Sequence, residues 1–463
     1  MKSTLFPLAT LLVLVPPLAA QSPLSLRDAL ARADGQAYAN RIAGATADAQ
    51  AAQALQPYRG ILPALRVEAG YVRTTDPIAA FGTKLRQRGI GAADFNPATL
   101  NFPAAIGNRS AGLVLEQPLF NADAWVGRSS AGAAAKAQAA AADWTRTGTR
   151  VDVVRAYFGA TLATEKRATL EAAERAAQAH VARAKAFADT GLVTRSDALL
   201  AEVRAGEITT QRLTAVSDAS HARRALAMLL GEPTATYLLP PSMPTADAIR
   251  ALVSADTLEI DASDDGLAPR ADVRAATLAL SAARADALRG KSLYLPRVNG
   301  FARYDWNDRT GFFANERSWT AGVMASWSPF AGASELAESR LTAARARGAV
   351  AQRDAAAANA ALERERTRES LAVALAQLAI AEQAAEQSAE ALRIVSRKYD
   401  GGLATISDLL EAQAMRTQAD LGLSFARYRL LVAAAERRQA LGSDPSFLTA
   451  LDSATSTSDR ASR

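Results

Sequence analysis

A turn between two helical stretches occurs twice in this chain, and this duplication constrains the fold more than any other feature of the sequence. Residues 187–200 read FADTGLVTRSDALL, and residues 397–413 read RKYDGGLATISDLLEAQ. Gly191 of the first segment matches Gly402 of the second, 211 positions later. We therefore predict two repeats, each built around a pair of helices that a glycine-containing turn connects.

The helix before the second turn carries an apolar residue at every seventh position. This spacing keeps one seam of a helix facing a partner helix over several turns. Gly401 and Gly402 are expected to end that helix, because glycine adopts the left-handed conformation of helix C-termini at little steric cost. The seam consists of Leu371, Leu378, Ala385, Leu392 and Tyr399.

The residues after each turn have the pattern of a helix start. In the second copy Thr405 or Ser407 is the expected N-cap, and Asp408 and Glu411 lie near the positive end of the helix dipole. Asp197 occupies the position of Asp408 in the first copy, again 211 residues earlier. The duplication therefore includes the start of the return helix as well as the glycine.

Helical periodicity extends far from both turns. Alanine runs and an aromatic content of only 6% favour long helices that approach each other closely, and do not favour a bulky globular core. At 1.5 Å per residue, the longest predicted helix spans roughly 100 Å. The predicted helices are residues 24–56, 123–189, 194–230, 270–292, 335–400 and 407–441.

Four shorter stretches, two in each repeat, alternate apolar and polar residues as strands with one apolar face do. Trp319 and Trp327 lie eight residues apart on one face, a separation of roughly 27 Å that is close to the apolar band of outer-membrane barrels. Two hairpins packed on a soluble core are the alternative. Four strands cannot close a barrel, so membrane insertion requires several chains. The predicted strands are residues 65–74, 111–120, 297–307 and 318–328, and Tyr71, Trp306, Trp319 and Trp327 are their candidate membrane-interface aromatics.

The first twenty residues have the composition of a secretory signal: Lys2, an apolar run from Leu5 to Val15, and a small-residue site ending at Ala20. No later stretch has 18 consecutive apolar residues, so no transmembrane helix is expected. The absence of cysteine excludes disulfides and thiolate chemistry. The predicted organisation is a signal peptide at 1–20, a first repeat at 21–231, a proline-rich insertion at 232–268 with a short helix near 246–253, a second repeat at 269–442 and a disordered tail at 443–463.

Several classes of function are excluded at this level. The net charge of +6 is spread in both signs along the helices, without the basic block and interleaved aromatics of a nucleic-acid site. The only histidines, His180 and His221, lie inside predicted helices, where a structural or solvent-facing role is expected. We find no metal-ligand cluster, nucleophile motif or cofactor fingerprint, and we predict no catalytic, cofactor-binding or metal-binding residue.

Two copies of helix, Leu-Pro, β-hairpin, long helix, Gly-Leu-x-x-x-Ser-Asp turn and return helix resemble the TolC outer-membrane efflux family. The resemblance covers essentially the whole chain after the signal sequence. It implies a mainly α fold with a small β part, in which a homotrimer forms a 12-stranded β-barrel in the outer membrane of a Gram-negative bacterium and an α-barrel across the periplasm. It also implies a periplasmic adaptor (membrane fusion) protein, an inner-membrane pump of the RND or ABC type, and outer-membrane lipid as partners.

The resemblance further implies roles for residues at the two turns. Tyr399 matches the family's gating tyrosine, and Asp197 matches its acidic partner. Asp408 and Glu411 match carboxylates that ring the entrance of the duct. Ordinary helix capping is the alternative role for Asp197 and Asp408.

At one position the sequence departs from the family pattern. The family's gating arginine falls on Ala404, and Arg195 in the first turn is the candidate substitute. The implied function is a passive duct that exports small molecules or proteins as part of a tripartite efflux or type I secretion system. A periplasmic coiled-coil adaptor or scaffold is the alternative, but it predicts one helical hairpin between globular β domains, whereas this chain has two hairpins and four strands.

Overall fold

The computed structural model describes residues 24–191, 193–263, 270–292, 294–313, 316–330 and 332–452. The predicted signal peptide and the last eleven residues of the predicted tail lie outside these ranges. Within them, no helix is both long enough and apolar enough to cross a membrane. The helices are α1 (Leu26–Gln36), α2 (Tyr38–Gln53), α3 (Pro77–Arg86), α4 (Pro97–Asn101), α5 (Ala122–Asp189), α6 (Arg195–Leu229), α7 (Ala246–Ser263), α8 (Ala271–Ser292), α9 (Ser334–Asp400) and α10 (Ile406–Ala440), and the strands are β1 (Ala64–Thr74), β2 (Ile106–Phe120), β3 (Arg297–Asp308) and β4 (Glu316–Ser326).

The chain forms two compact units, and each combines segments from both repeats. Unit 1 contains residues 1–41, 146–268 and 363–463. Unit 2 contains residues 42–145 and 269–362. Unit 1 therefore holds both inter-helix turns, and unit 2 holds all four described strands.

Unit 2 contains one antiparallel sheet with the strand order β1-β2-β3-β4. Leu65 pairs with Leu115, and Val67 pairs with Leu113. The register continues across the sheet, because Leu113 also pairs with Tyr304, which in turn pairs with Trp319. The two hairpins are thus joined through β2 and β3, and β1 and β4 form the two edges of the sheet.

This register separates apolar and polar side chains onto opposite faces, as the predicted alternation requires. Leu65 and Val67 are each 65% exposed on the apolar face. On the other face, Arg303 lies 2.8 Å from Asp305 and 3.4 Å from Glu68. An exposed apolar face of this extent marks a surface that contacts a partner chain or a membrane.

The core of unit 1 confirms the predicted heptad seam of α9. Leu378 is fully buried, and Leu371 and Tyr399 are each less than 10% exposed. In the same core α5 contributes Val153 and Val154. The alanine-rich return helix α10 adds Leu430, Leu431, Ala434 and Ala435, all at most 1% exposed.

A partly buried polar group joins the insertion to this core. The Glu165 carboxylate accepts hydrogen bonds from the Met243 backbone N–H at 2.7 Å and from the Ser424 hydroxyl at 2.5 Å. Arg427 lies 3.2 Å from the same carboxylate, and both side chains are about 15% exposed. The insertion is more helical than the sequence indicated, because α7 runs to Ser263 and buries Ile249 and Val253 against the core.

The prediction of a disordered tail from residue 443 was wrong for its first ten residues. Pro445–Ala450 form a 3₁₀ helix that Asp444 caps through the Ser446 N–H at 2.8 Å. Leu448 is fully buried. The Asp452 carboxylate then accepts the Leu26 and Arg27 backbone N–H groups at 2.9 and 3.0 Å, at the start of α1. The Ser, Thr and Asp content suggested disorder, but the interspersed leucines have a core to enter.

The segment 75–107 was expected to be a long loop because of its prolines and glycines, and it instead contains two short helices. Pro77 and Pro97 occupy the first turns of α3 and α4. Asp76 caps α3 through the Ala79 N–H at 2.7 Å. Proline is favoured at this position, since its missing N–H would have no intrahelical partner there.

The predicted helix 24–56 is interrupted, because Ala37 leaves the helical conformation with ψ 131°. The Asn40 side-chain amide donates to the Ala33 carbonyl at 2.9 Å and compensates for the break. In unit 2, β2 begins at Ile106 and is longer than predicted. The strand β4 ends at Ser326, so Trp327 follows it and does not lie within it.

Candidate functional site

The two inter-helix turns are the candidate site, and each begins with a glycine in the left-handed region. Gly402 has φ +73° and Gly191 has φ +74°. At the second turn the Leu403 N–H donates to the Lys398 carbonyl at 2.8 Å and the Gly402 N–H donates to the Tyr399 carbonyl at 3.0 Å. This pair of bonds is a Schellman motif, which satisfies the last carbonyls of the helix.

Both return helices begin with the same capping box. The Thr194 hydroxyl accepts the Asp197 N–H at 3.2 Å, and the Asp197 carboxylate accepts the Thr194 N–H at 3.0 Å. Thr405 and Asp408 repeat these bonds at 3.2 and 2.8 Å. Thr405, not Ser407, is therefore the cap. The Asp408 carboxylate accepts hydrogen bonds from the Thr405 backbone N–H and hydroxyl, and both lower the pKa of Asp408, the backbone bond most.

A small apolar cluster, which we call the turn cluster, fixes the two turns against each other within unit 1. The second repeat supplies the large side chains and the first repeat supplies small ones that receive them. The Tyr399 ring also lies 5.9 Å from the Phe187 ring, with 36° between the ring planes. The cluster consists of Ala184, Ala198, Ala201, Tyr399, Ile406 and Leu409.

The Tyr399 hydroxyl is the one predicted gating group that lies inside this cluster. The side chain is 4% exposed, and its Oη atom has no hydrogen-bond partner among the described residues. Burial raises the pKa of Tyr399, and the nearby charges of Asp197 and Asp400 raise it further, while Arg183 opposes them. Tyr399 and Asp197 are therefore neighbours, but the Asp197 carboxylate is bonded to Thr194 and not to the tyrosine.

Arg183 is the functional candidate that sequence reasoning missed. Its Nη1 lies 2.6 Å from the Asp400 carboxylate, next to Tyr399 in sequence. The pair joins α5 to the last residue of α9. The one sequence signal for this contact is that Arg183 lies about two helical turns before Gly191. The apolar seam of a helix does not show which of its exposed residues lie beside a partner helix.

The other candidates occupy different positions. The Arg195 side chain is exposed and makes no hydrogen bond or ion pair with another described residue. Ala404 packs against the turn cluster. Glu411 is exposed and lines a groove between α6 and α10. Arg183, and not Arg195, is therefore the cation next to Tyr399.

That groove has a volume of about 910 Å³ and is lined by apolar and polar side chains of both return helices. Leu200 and Met415 contribute exposed apolar surface to it, at 37% and 53% exposure. His180 reaches it from α5. Burial and the Arg183 charge lower the pKa of His180, which leaves its imidazole neutral at neutral pH.

In unit 2, the predicted interface aromatics lie on or beside the sheet. Tyr71 is exposed on β1, and Trp306 contacts Tyr304 and Phe313 with ring centroids 4.7 and 5.3 Å apart. Trp319 is 74% exposed. Trp327 is also exposed, and its indole N–H donates to the Tyr294 carbonyl at 3.1 Å. Large aromatic surface on this face is therefore left open to the surroundings.

Among the described residues, no group of three or more histidine, aspartate or glutamate side chains is arranged to hold a metal ion. The two turns provide a closed apolar contact that is flanked by charges.

The whole-chain fold is that of outer-membrane channels. VceC from Vibrio cholerae matches 90% of this chain and 96% of its own with a TM-score of 0.73 at 19% identity. The CmeC channel from Campylobacter jejuni matches 98% of both chains with a TM-score of 0.72 at 14% identity. The MtrE channel from Neisseria gonorrhoeae, solved in its open state, has a TM-score of 0.69 at 16% identity over 90% and 89% of the two chains.

Residues 262–443, which include the predicted second repeat, match the family model of outer membrane efflux proteins. None of the curated protein sequences matches the chain. The resemblance drawn from the sequence is thus confirmed by a family model over the second half of the chain and by the fold over nearly all of it. The alternative of a periplasmic adaptor is not favoured.

Proposed function

We propose that this protein is the outer-membrane channel of an efflux or type I secretion system, a passive duct formed by three copies of the chain. The observation that carries the proposal is the four-stranded sheet, with an exposed apolar face, an ion-paired polar face and two open edges. Open edges of 11 residues favour pairing with further strands. Three copies supply twelve strands, an even number within the range of membrane barrels.

Oligomeric state and conductance test this proposal directly. The full chain purified in detergent is expected to be a trimer by light scattering and to give discrete conductance steps in planar lipid bilayers. A water-soluble monomer that leaves the bilayer non-conducting would refute it. A trimer without conductance would indicate a duct that is closed at the turns.

The turns supply a closing contact for the duct. In this proposal Tyr399 holds α9 against the first-repeat turn, and the Arg183–Asp400 ion pair adds a second link between α5 and α9. The link between Tyr399 and Asp197 expected from the family takes a different form, since the Asp197 carboxylate caps α6. Opening then requires the turn cluster to separate.

A permeability assay tests the closing contact with a matched control. The double variant Tyr399→Ala/Arg183→Gln is expected to raise entry of large antibiotics through the outer membrane and to raise bilayer conductance. Asp408→Asn perturbs the capping box of the second turn while Tyr399 and Arg183 stay unchanged, and it is expected to have a smaller effect. Unchanged permeability of the double variant would leave these residues with a packing role alone.

We further propose that the groove between α6 and α10 receives the helical hairpin of a periplasmic adaptor, which connects the duct to an inner-membrane pump. Leu200 and Met415 provide apolar contacts and Glu411 provides an acidic one, while Glu207 forms an ion pair with Arg204 at 2.7 Å on the same groove. Met415→Glu is expected to abolish efflux in cells while trimer assembly and conductance stay normal. Normal efflux would show that the groove is not the docking site.

A further inference from the structure

The apolar face of the sheet has a charge pattern that membrane insertion alone does not require. The pairing of the four strands fixes which residues share this face. From the end next to α5 the face is first aliphatic, with Leu65, Leu115 and Val323 exposed, and then aromatic. The aromatic tier contains Tyr71, Tyr304, Trp306 and Trp319.

At the end where α3 and α4 connect β1 to β2, arginines form a tier that overlaps the aromatic one: Arg317 pairs with Trp306, Arg109 pairs with Tyr71, and Arg73 lies two residues further along β1. Arg73, Arg109 and Arg317 belong to the same face as Leu65, because each lies an even number of positions along its strand from a residue of that face. Among the described residues of this face, Asp308 at the same end carries the only other charge. On the opposite face, by contrast, charged residues such as Arg66 and Asp305 lie along the middle of the strands.

The acidic group on this tier is occupied by its own turn. The Asp308 carboxylate accepts the Thr310 backbone N–H at 2.8 Å and the Thr310 hydroxyl at 3.1 Å. It therefore does not neutralise the arginines by ion pairing. In the described part of the chain, the guanidinium groups of Arg73 and Arg317 have no hydrogen-bond or ion-pair partner.

The third arginine is held in position by an aromatic ring. The Arg109 guanidinium lies 5.3 Å above the centre of the Tyr71 ring and also donates to the Arg309 carbonyl. Stacking of this kind fixes the plane of the guanidinium at the edge of the aromatic tier. The remaining N–H groups are left to bind an external acceptor.

The edge strands raise the charge density further. Arg73 lies on β1 and Arg317 lies on β4, and these are the two edges of the sheet. Pairing between copies would place these two cations on adjacent strands at the same end. Like charges on neighbouring strands are destabilising unless an anion lies between them.

We propose that this arginine tier binds the phosphate groups of lipids in the outer leaflet of the outer membrane. The inference depends on the proposed function, which places the end next to α5 toward the periplasm. Arginine matches phosphate with two parallel hydrogen bonds, and its aliphatic stem packs along apolar surface while the charged head reaches the headgroups. The face is aliphatic at the end next to α5 and carries both aromatics and arginines at the opposite end, which matches hydrocarbon at one end and the interface with its headgroups at the other.

Lipid retention by the full-length trimer tests this assignment. The protein is exchanged into mixed micelles of phosphatidylglycerol and phosphatidylcholine, and the lipids retained are counted by native mass spectrometry. Wild type is expected to enrich the anionic lipid. The variant R73Q/R109Q/R317Q is expected to lose that enrichment, by roughly fivefold for each arginine removed.

Controls separate this inference from its alternatives. The polar-face variant R66Q/R303Q loses two arginines of the same sheet and is expected to keep the enrichment. Equal retention of both lipids by wild type, or displacement of the anionic lipid by inorganic phosphate alone, overturns the inference but not the channel. A protein that retains no lipid of either charge overturns both.

Discussion

The two inter-helix turns share their backbone and differ in their side chains. Both have a left-handed glycine and a Thr–Asp capping box at matching positions 211 residues apart. Yet Arg195, which is exposed in the first turn, corresponds to Ile406, which is buried in the second, and Ala198 corresponds to Leu409. The duplication has kept the hydrogen bonds that form a turn and has diversified the residues that pack two turns together.

This difference has a mechanical meaning. The turn cluster holds the two turns in one arrangement, because large side chains of the second repeat pack on alanines of the first. Capping boxes, in contrast, stabilise each helix start whether or not the turns touch. Residues that keep the site closed are therefore distinct from residues that keep each turn folded, and four experiments test this distinction.

Truncation of the packing side should have the largest effect. Leu409→Ala removes a fully buried side chain and is expected to cost about 2–5 kcal/mol of local stability. Hydrogen–deuterium exchange at both turns measures this loss. The control Leu199→Ala truncates the same side chain at 52% exposure in the first repeat and should change exchange far less. Equal effects would contradict the division between the repeats.

The glycines should respond equally. Gly191→Ala and Gly402→Ala each force a Cβ into the left-handed region, at roughly 1–2 kcal/mol. No atom lies within 4 Å of the added Cβ at either site, so the cost comes from the backbone alone. Gly401→Ala, whose φ is not in that region, is the matched control. Melting temperatures are measured in detergent. A different decrease in Tm for Gly191→Ala and Gly402→Ala would show that the two turns also differ in their backbone.

The second capping box should give a dependence on acid. The folded-state pKa of Asp408 is depressed from its ordinary value of 3.8, so its stabilising bonds are present above that pH and are lost as the pH falls through the folded-state pKa. Wild type should lose protection at the start of α10 in this range, as measured by hydrogen exchange. The Asp408→Asn variant should lack this loss of protection in acid. A loss of undiminished size in the variant would show that another group is responsible for it.

The smallest effect is expected for the Arg183–Asp400 ion pair. Its side chains are 44% and 55% exposed, so solvent screens the attraction and the coupling should be below about 1 kcal/mol. A double-mutant cycle with Arg183→Gln and Asp400→Asn measures the coupling, which should shrink as salt is added. A larger, salt-insensitive value would show that the pair is desolvated in the assembled protein.

Periodicity and spacing predicted most of the fold. Heptads located the seam of α9, alternation located the strands, and the glycine–threonine–aspartate spacing located both turns. The break at Ala37 and the helices at Pro77 and Pro97 were not predicted, because single polar side chains and first-turn prolines decide them.

The candidate site was less accessible to sequence analysis. Tyr399 and Asp197 were found by their positions in a motif. The contact between Arg183 and Asp400 was not, because it joins residues 217 positions apart and depends on how two helices are rotated against each other. Likewise, Leu448 enters a core that only the folded chain creates.

The docking of the C-terminal segment has a consequence for the order in which the chain folds. The first helix of the described chain, α1, donates two of its N-terminal N–H groups to the carboxylate of Asp452, 426 and 425 positions away. During synthesis or export from the amino end, α1 therefore cannot complete its packing in unit 1 until the segment around Asp452 is also available. Until then α1 lacks its contact with Asp452, and a chaperone has a long period in which it can bind the incompletely folded chain.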